Sequence, residues 1–360
     1  TSRERCLAAL RLQPADRLPF WPKIGEEYIK RQAADFRAMP LTGLLEWIGG
    51  EAHAWIGSGA VVKHTATAIK HIRKGDEQQV EYITPHGVLR SNQRWDATSA
   101  SWHPLSYPVQ TRDDIGRMTD WYGDLRVEPD TAVLAKANAA VQRLGTTALL
   151  ETSIGTSPLM SFVEWLAGVE QAHYLLLDHP DDTAALFAAM HRVLLRTTEI
   201  VLAQCPADLF YFIENTSTTL ISPEQYRLHC LPILGEYARM GQQAGKLIGL
   251  HMCGHLKALL PDLAKLPVAA FEAFTTPTVG NTTLRDGRLG CPVTCLIGGT
   301  NAALWLRPAD EIIAQIKADL DSLPHHRGLV ITSGGMMPPA CAPATIRAVC
   351  EWVRQYPARW

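Results

Sequence analysis

From residue 128 to its end the chain alternates short apolar runs with stretches of helical periodicity, and few folds can use that alternation. Strand-like runs occur at T-A-L-L-E (147–151), D-L-F-Y-F-I-E (208–214), K-L-I-G-L-H (246–251), V-A-A-F-E-A-F (268–274), V-T-C-L-I-G (293–298) and G-L-V-I-T (328–332). Two more lie upstream, R-L-P-F-W (17–21) and A-H-A-W-I (52–56). Strands separated by helices build a parallel sheet with helices packed on it. Eight such units close most economically into a single (β/α)8 TIM barrel, with residues 1–360 as one domain. The competing open, doubly wound sheet would want a G-x-G-x-x-G turn, and the chain has none.

The helices carry matching punctuation. In S-P-E-Q (222–225), Ser222 is placed to cap a helix, Pro223 to open it and Gln225 to close a capping box. Gly245 is placed to stop that helix before the next strand. Ile312, Ile313, Ile316 and Leu320 fall on one face of a later helix. Residues 60–112 break the pattern. Their alternation and the turns at K-G-D and P-H-G predict a β-meander inserted after an early barrel unit.

Composition narrows the function classes. With 47% hydrophobic and 19% charged residues, the chain can bury a large core. A net charge of −2 offers nucleic acid or an anionic membrane no electrostatic reason to bind, and no run of 18 apolar residues spans a bilayer. Eight cysteines in 360 residues do not form a small disulfide framework. A cytoplasmic protein is the expectation.

Chemistry is expected where the strands end, because a barrel builds its sites at the carboxyl face. His251 and Cys253 are two apart at the end of K-L-I-G-L, so they should face one way. Imidazole and thiolate are zinc donors, and a catalytic zinc wants about three protein ligands and one open position. The competing reading is a hydrogen-bonded histidine and a buried thiol. Glu151 and Glu214 each close an apolar run and are candidates for acid–base work, or for simple charges at the start of a helix. Glu272 is expected on the same strand face as Phe274. Cys341 follows the last strand in S-G-G-M-M-P-P-A-C-A-P. Cys291 and Cys295 fall at a strand start and read as core or surface thiols. Trp21, Tyr28, Phe212, Trp305, Trp102 and Tyr107 supply aromatic surface for a methyl ether or a quaternary amine, or simply pack the core.

Four segments together resemble the uroporphyrinogen decarboxylase superfamily over nearly the whole length. They are R-E-R-C-L-A-A-L-R-L-Q-P-A-D-R-L-P-F, L-I-S-P-E-Q-Y-R-L-H-C-L-P-I-L, L-I-G-L-H-M-C-G-H and S-G-G-M-M-P-P-A-C-A-P-A-T. The resemblance implies the same barrel. The R-Q-A-G-R motif of the true decarboxylases is missing from F-W-P-K-I-G-E-E-Y-I-K-R-Q, which argues against a porphyrinogen rich in carboxylates.

The other branch of that superfamily contains zinc-dependent methyltransferases that work with corrinoid proteins. For this chain it implies zinc on His251 and Cys253, with a third ligand from the last loop. The branch's last cysteine aligns with Gly335, leaving Cys341 or Glu214 as the third ligand. No D-x-H-x-x-G cobalamin motif occurs, so cobalamin would arrive on a partner corrinoid protein. The expected activity moves a methyl group between a small methylated ether, amine or thiol and that corrinoid, or a thiol or folate acceptor. The alternatives are a metal-independent decarboxylase or lyase of the same fold, and a non-catalytic tetrapyrrole- or corrinoid-binding protein.

Overall fold

A computed structural model describes residues 1–97 and 101–360. Seven strands form one parallel sheet in the order in which the chain visits them: β1 (His53–Trp55), then β8 (Leu149–Gly155), β9 (Leu209–Ile213), β10 (Leu247–His251), β11 (Ala270–Phe274), β12 (Cys295–Gly299) and β13 (Leu329–Thr332). A sequential parallel order with a helix between neighbours is the connectivity of a curling βα sheet. The curl is joined at its edges by residues 19–21. Phe20 bridges Ile331 of β13 in parallel, and its carbonyl accepts the Glu51 N–H at 2.8 Å just before β1. All eight strand-like runs therefore lie in the wall, although the first contributes only a bridge.

Two apolar layers result. Leu149, Leu209, Tyr211, Ala270, Cys295, Ile297 and Val330 pack inside the wall against Trp21 and against Cys6, Leu7 and Leu10 of the amino-terminal helix Ser2–Leu10. Phe210, Phe212, Leu250, Phe271, Phe274 and Ile331 pack outside it, under the helices. Because both faces of β8, β9, β11, β12 and β13 are buried along most of their length, these strands read as near-continuous apolar runs. The capping box at Ser222 and Gln225 forms, and Gly245 takes the left-handed conformation (φ +66°) that ends the helix Leu231–Gln243.

The meander is present between β1 and β8. It comprises β2 (Ala60–Lys63), β3 (Ala68–Lys74), β4 (Glu77–Thr84), β5 (Gly87–Asp96) and β6 (Ser101–Ser106). The last four form an antiparallel sheet, while β2 pairs instead with β7 (Arg126–Pro129). The sheet packs on the helix Arg112–Asp124, where Tyr82 meets Trp121 edge-on at 5.2 Å. No helix among the described residues is long and apolar enough to cross a membrane.

Candidate functional site

Strand parity decides which side chains enter the bore. On β10, Leu247 packs with the inner cluster and Gly249 lies under the ring of Tyr211, so His251 is the third inward position. Its Nδ1 is hydrogen-bonded to Oε2 of Glu272, the neighbouring residue in register on β11. The other oxygen of Glu272 accepts from Lys23 Nζ at 2.6 Å. Cys253, two residues beyond His251, lies close enough to the imidazole to act on it electrostatically, and its thiol donates to Oδ1 of Asn215 at 3.6 Å. Asn215 in turn donates from Nδ2 to Glu164 at 3.0 Å. The array Lys23–Glu272–His251–Cys253–Asn215–Glu164 thus runs along the rim of the bore.

Three backbone irregularities build this array. Ala273 adopts φ +63° within β11, and the pairing with β12 slips there. The bulge sends Phe274 to the outer layer while Glu272 stays inside, so the two residues expected on one face lie on opposite ones. Asn215 has φ +45°, and its N–H shares the His251 carbonyl with that of Glu214. Glu164 sits in a π-turn, Phe162–Leu166. Such features cost free energy and concentrate at working sites.

The charges follow from these contacts. Burial opposes ionisation of both His251 and Glu272, but their mutual attraction outweighs it; Lys23 adds to the effect on Glu272 and opposes it on His251. The imidazole is therefore held above its ordinary value and the carboxylate below. Burial pushes Glu164 up to about 7, with Asn215 and His251 pulling the other way.

Glu151 faces the bore from β8, where it takes His53 Nδ1 at 3.0 Å; burial raises its pKa and His53 opposes the rise. Glu214 does not reach the bore. It has the parity of Phe210 and Phe212, and its carboxylate is held outside the wall by the Ser157 N–H at 2.7 Å and the Ser157 hydroxyl. Burial pushes it up to about 7 as well. The Cys341 thiol also lies in the outer apolar layer, where burial pushes it up to about 12. Its backbone is pinned by the Tyr28 hydroxyl, which donates to the Cys341 carbonyl at 2.6 Å.

These placements test the site for zinc. His251 has a carboxylate on Nδ1, as zinc-binding imidazoles commonly do, and Cys253 lies near it. A third donor is not brought up: among the described residues, no three His, Cys, Asp or Glu side chains gather as a metal site. The pair fits; the set of three does not.

Lys23, His53, Asn215 and Glu164 escaped the sequence reading. Lys23 carried the fairest signal, two residues beyond inward-facing Trp21 at the end of the first strand-like run. Of the aromatic candidates, Trp21 is in the bore, whereas Tyr28, Phe212 and Trp305 pack in the outer layer. A concavity of about 740 Å³ lies away from the bore, beside His173, Leu177, Leu220 and Leu228, and includes none of the candidate residues. His173 there is bonded through both ring nitrogens, to Leu220 O and Gln225 Nε2.

Comparison with known proteins adds three findings. The family model described as uroporphyrinogen decarboxylase (URO-D) matches residues 108–356. No curated protein matches the sequence. Among solved structures, a methyltransferase from Methanosarcina mazei is similar over 98% of both chains at 15% identity and a TM-score of 0.61, a likeness of fold. A protein described as a vitamin-B12-independent methionine synthase from Listeria monocytogenes covers 61% of this chain, and 68% of its own, at 14% identity and a TM-score of 0.41.

Proposed function

Since the chain belongs to the uroporphyrinogen decarboxylase family, we propose that it is an enzyme of that family's methyl-transferring kind, moving a methyl group from a small methylated substrate to a corrinoid protein or to a thiol or folate acceptor. The observation that carries this reading is the juxtaposition of His251 and Cys253 at the mouth of the bore, with Glu272 and Lys23 behind the imidazole.

In this reading Glu272 fixes the ring of His251, so that Nε2 alone faces the substrate. Lys23 keeps Glu272 ionised and in place, and Asn215 holds the Cys253 side chain. Zinc, if held by His251 and Cys253, would supply Lewis-acid polarisation of the leaving group or stabilise a thiolate acceptor. Glu151, buried beside His53, is offered as the group that gives or takes a proton. Cobalamin would come on a separate protein.

The test is methyl transfer to reduced cobalamin by purified protein, run with a metal analysis of the same preparation. Activity lost in Cys253→Ala, and lost on chelation, is the expected result. Turnover indifferent to both changes would instead favour the metal-independent lyase.

A further inference from the structure

The concavity beside the barrel has no part in the array above. One of its walls is the helix Val169–Asp178, and the other runs from Ser222 into the π-turn Tyr226–Cys230. His173 ties the walls together through its bonds to Leu220 O and Gln225 Nε2, so the trough is preformed. Leu177 stands on one wall 78% exposed and Leu228 on the other 67% exposed, and Leu176, Leu220 and Ile221 add apolar lining. Tyr174, three residues before Leu177 on the same helix, is a further 55% exposed. A single exposed leucine needs no explanation, but several around one trough mark a surface that is covered in use. The Thr183, Thr218 and Thr219 hydroxyls of the lining are already hydrogen-bonded within the chain, so they ask for no small polar ligand.

The charges on the rim say what the covering group carries. Residues 170–182 contain four acids and no lysine or arginine. Asp182 is paired with Arg112, but Glu170, Asp178 and Asp181 have no ion-pair partner among the described residues, and neither has Glu224 on the other wall. Arg227, the one arginine of that wall, is turned to Asp262. In a chain of net charge −2, four uncompensated carboxylates about one apolar trough are a local concentration. They argue against two occupants. A second copy seated on its own image would bring like charges together, and an anionic membrane would be repelled. A partner with cations flanking an apolar stripe gains from both features of the trough. Because the walls are helical turns and not the edge of a strand, the shape suits an amphipathic helix laid in by its apolar face.

We propose that this trough is a docking site for an amphipathic helix of another protein, with apolar side chains seated between Leu177 and Leu228 and lysines or arginines reaching Asp178, Asp181 and Glu224. The inference is independent of the methyl-transfer reading. Fluorescence anisotropy with the whole protein tests it. The probes are a synthetic peptide of leucine and lysine, with leucine at helical period, and its counterpart with glutamate in place of lysine. The lysine peptide should bind saturably and the glutamate peptide should not. Leu228→Ser, and separately Asp178→Lys combined with Glu224→Lys, change only exposed positions and should each weaken binding roughly tenfold. Equal affinity in these variants and wild type, equally tight binding of the glutamate peptide, or no binding of the lysine peptide would overturn the proposal. So would a dimer in sedimentation velocity that dissociates in Leu228→Ser, because a second copy would then be the occupant.

Discussion

Glu272 and Glu214 are both carboxylates buried in the strand wall, on opposite sides of it, and they are held in opposite ways. Glu272, inside, meets an ammonium and an imidazole, and its pKa falls. Glu214, outside, meets only the neutral donors of Ser157, and burial lifts it to about 7. The interior of the barrel keeps a charge and surrounds it with partners, as a reacting site needs. The outer layer is the packing between wall and helices, and there a carboxylate is tolerated best when it holds its proton.

The largest effect should come from breaking the inner pair. Lys23→Met leaves Glu272 with His251 alone and should cost about 3 kcal/mol, at the low end for an unpaired buried charge because the lysine is partly exposed. Denaturant unfolding at neutral pH measures it, and a loss well under 1 kcal/mol would erase the distinction between the two sides.

The pH dependences should differ in sign. Glu214 has a folded pKa of about 7 against an ordinary 4.5, so wild type loses stability as pH rises through that window. Glu214→Gln removes this slope, and its stability relative to wild type should improve by about 3 kcal/mol or less between pH 4.5 and pH 8. Glu272 has a depressed pKa, so its contribution is present above the ordinary value and is lost as pH falls through the folded one. Glu272→Gln should therefore be destabilised at neutral pH and approach wild type in acid. Unfolding curves across pH read both variants.

Smaller effects probe the cysteines and the last loop. Cys341→Ala should cost about 1 kcal/mol for lost burial and leave methyl transfer unchanged, unlike Cys253→Ala. Gly335→Cys should change stability by about 0.5 kcal/mol or less, since a Cβ there meets only Ala302 at 3.8 Å. Greater zinc retention by that variant in a chelator competition would show that the last loop can reach the pair. Unchanged retention would place the loop outside any such site.

Architecture was legible from the chain because periodicity and punctuation are local. Apolar runs of four to seven residues, a capping box at Ser222 and a glycine at 245 each report on their own neighbourhood, and all eight strand-like runs take their places in the wall. The pairing of His251 with Cys253 was legible for the same reason, since two residues apart on one strand is a local relation.

Which side of the wall a residue faces was not legible. D-L-F-Y-F-I-E is apolar on both faces because the strand is buried on both, so nothing within it says that Tyr211 looks inward and Glu214 outward. A left-handed Ala273 then separates Glu272 from Phe274, and no local pattern announces that bulge. Lys23 reaches Glu272 across 249 residues, and Trp55 finds Tyr211 across an intervening strand. The sequence by itself determined a barrel of βα units with a histidine and a thiol on one strand end. Only the tertiary structure decided which acids share the bore with them, because short-range patterns set strands and helices, whereas closure of the sheet chooses the partners that charge and burial then act upon.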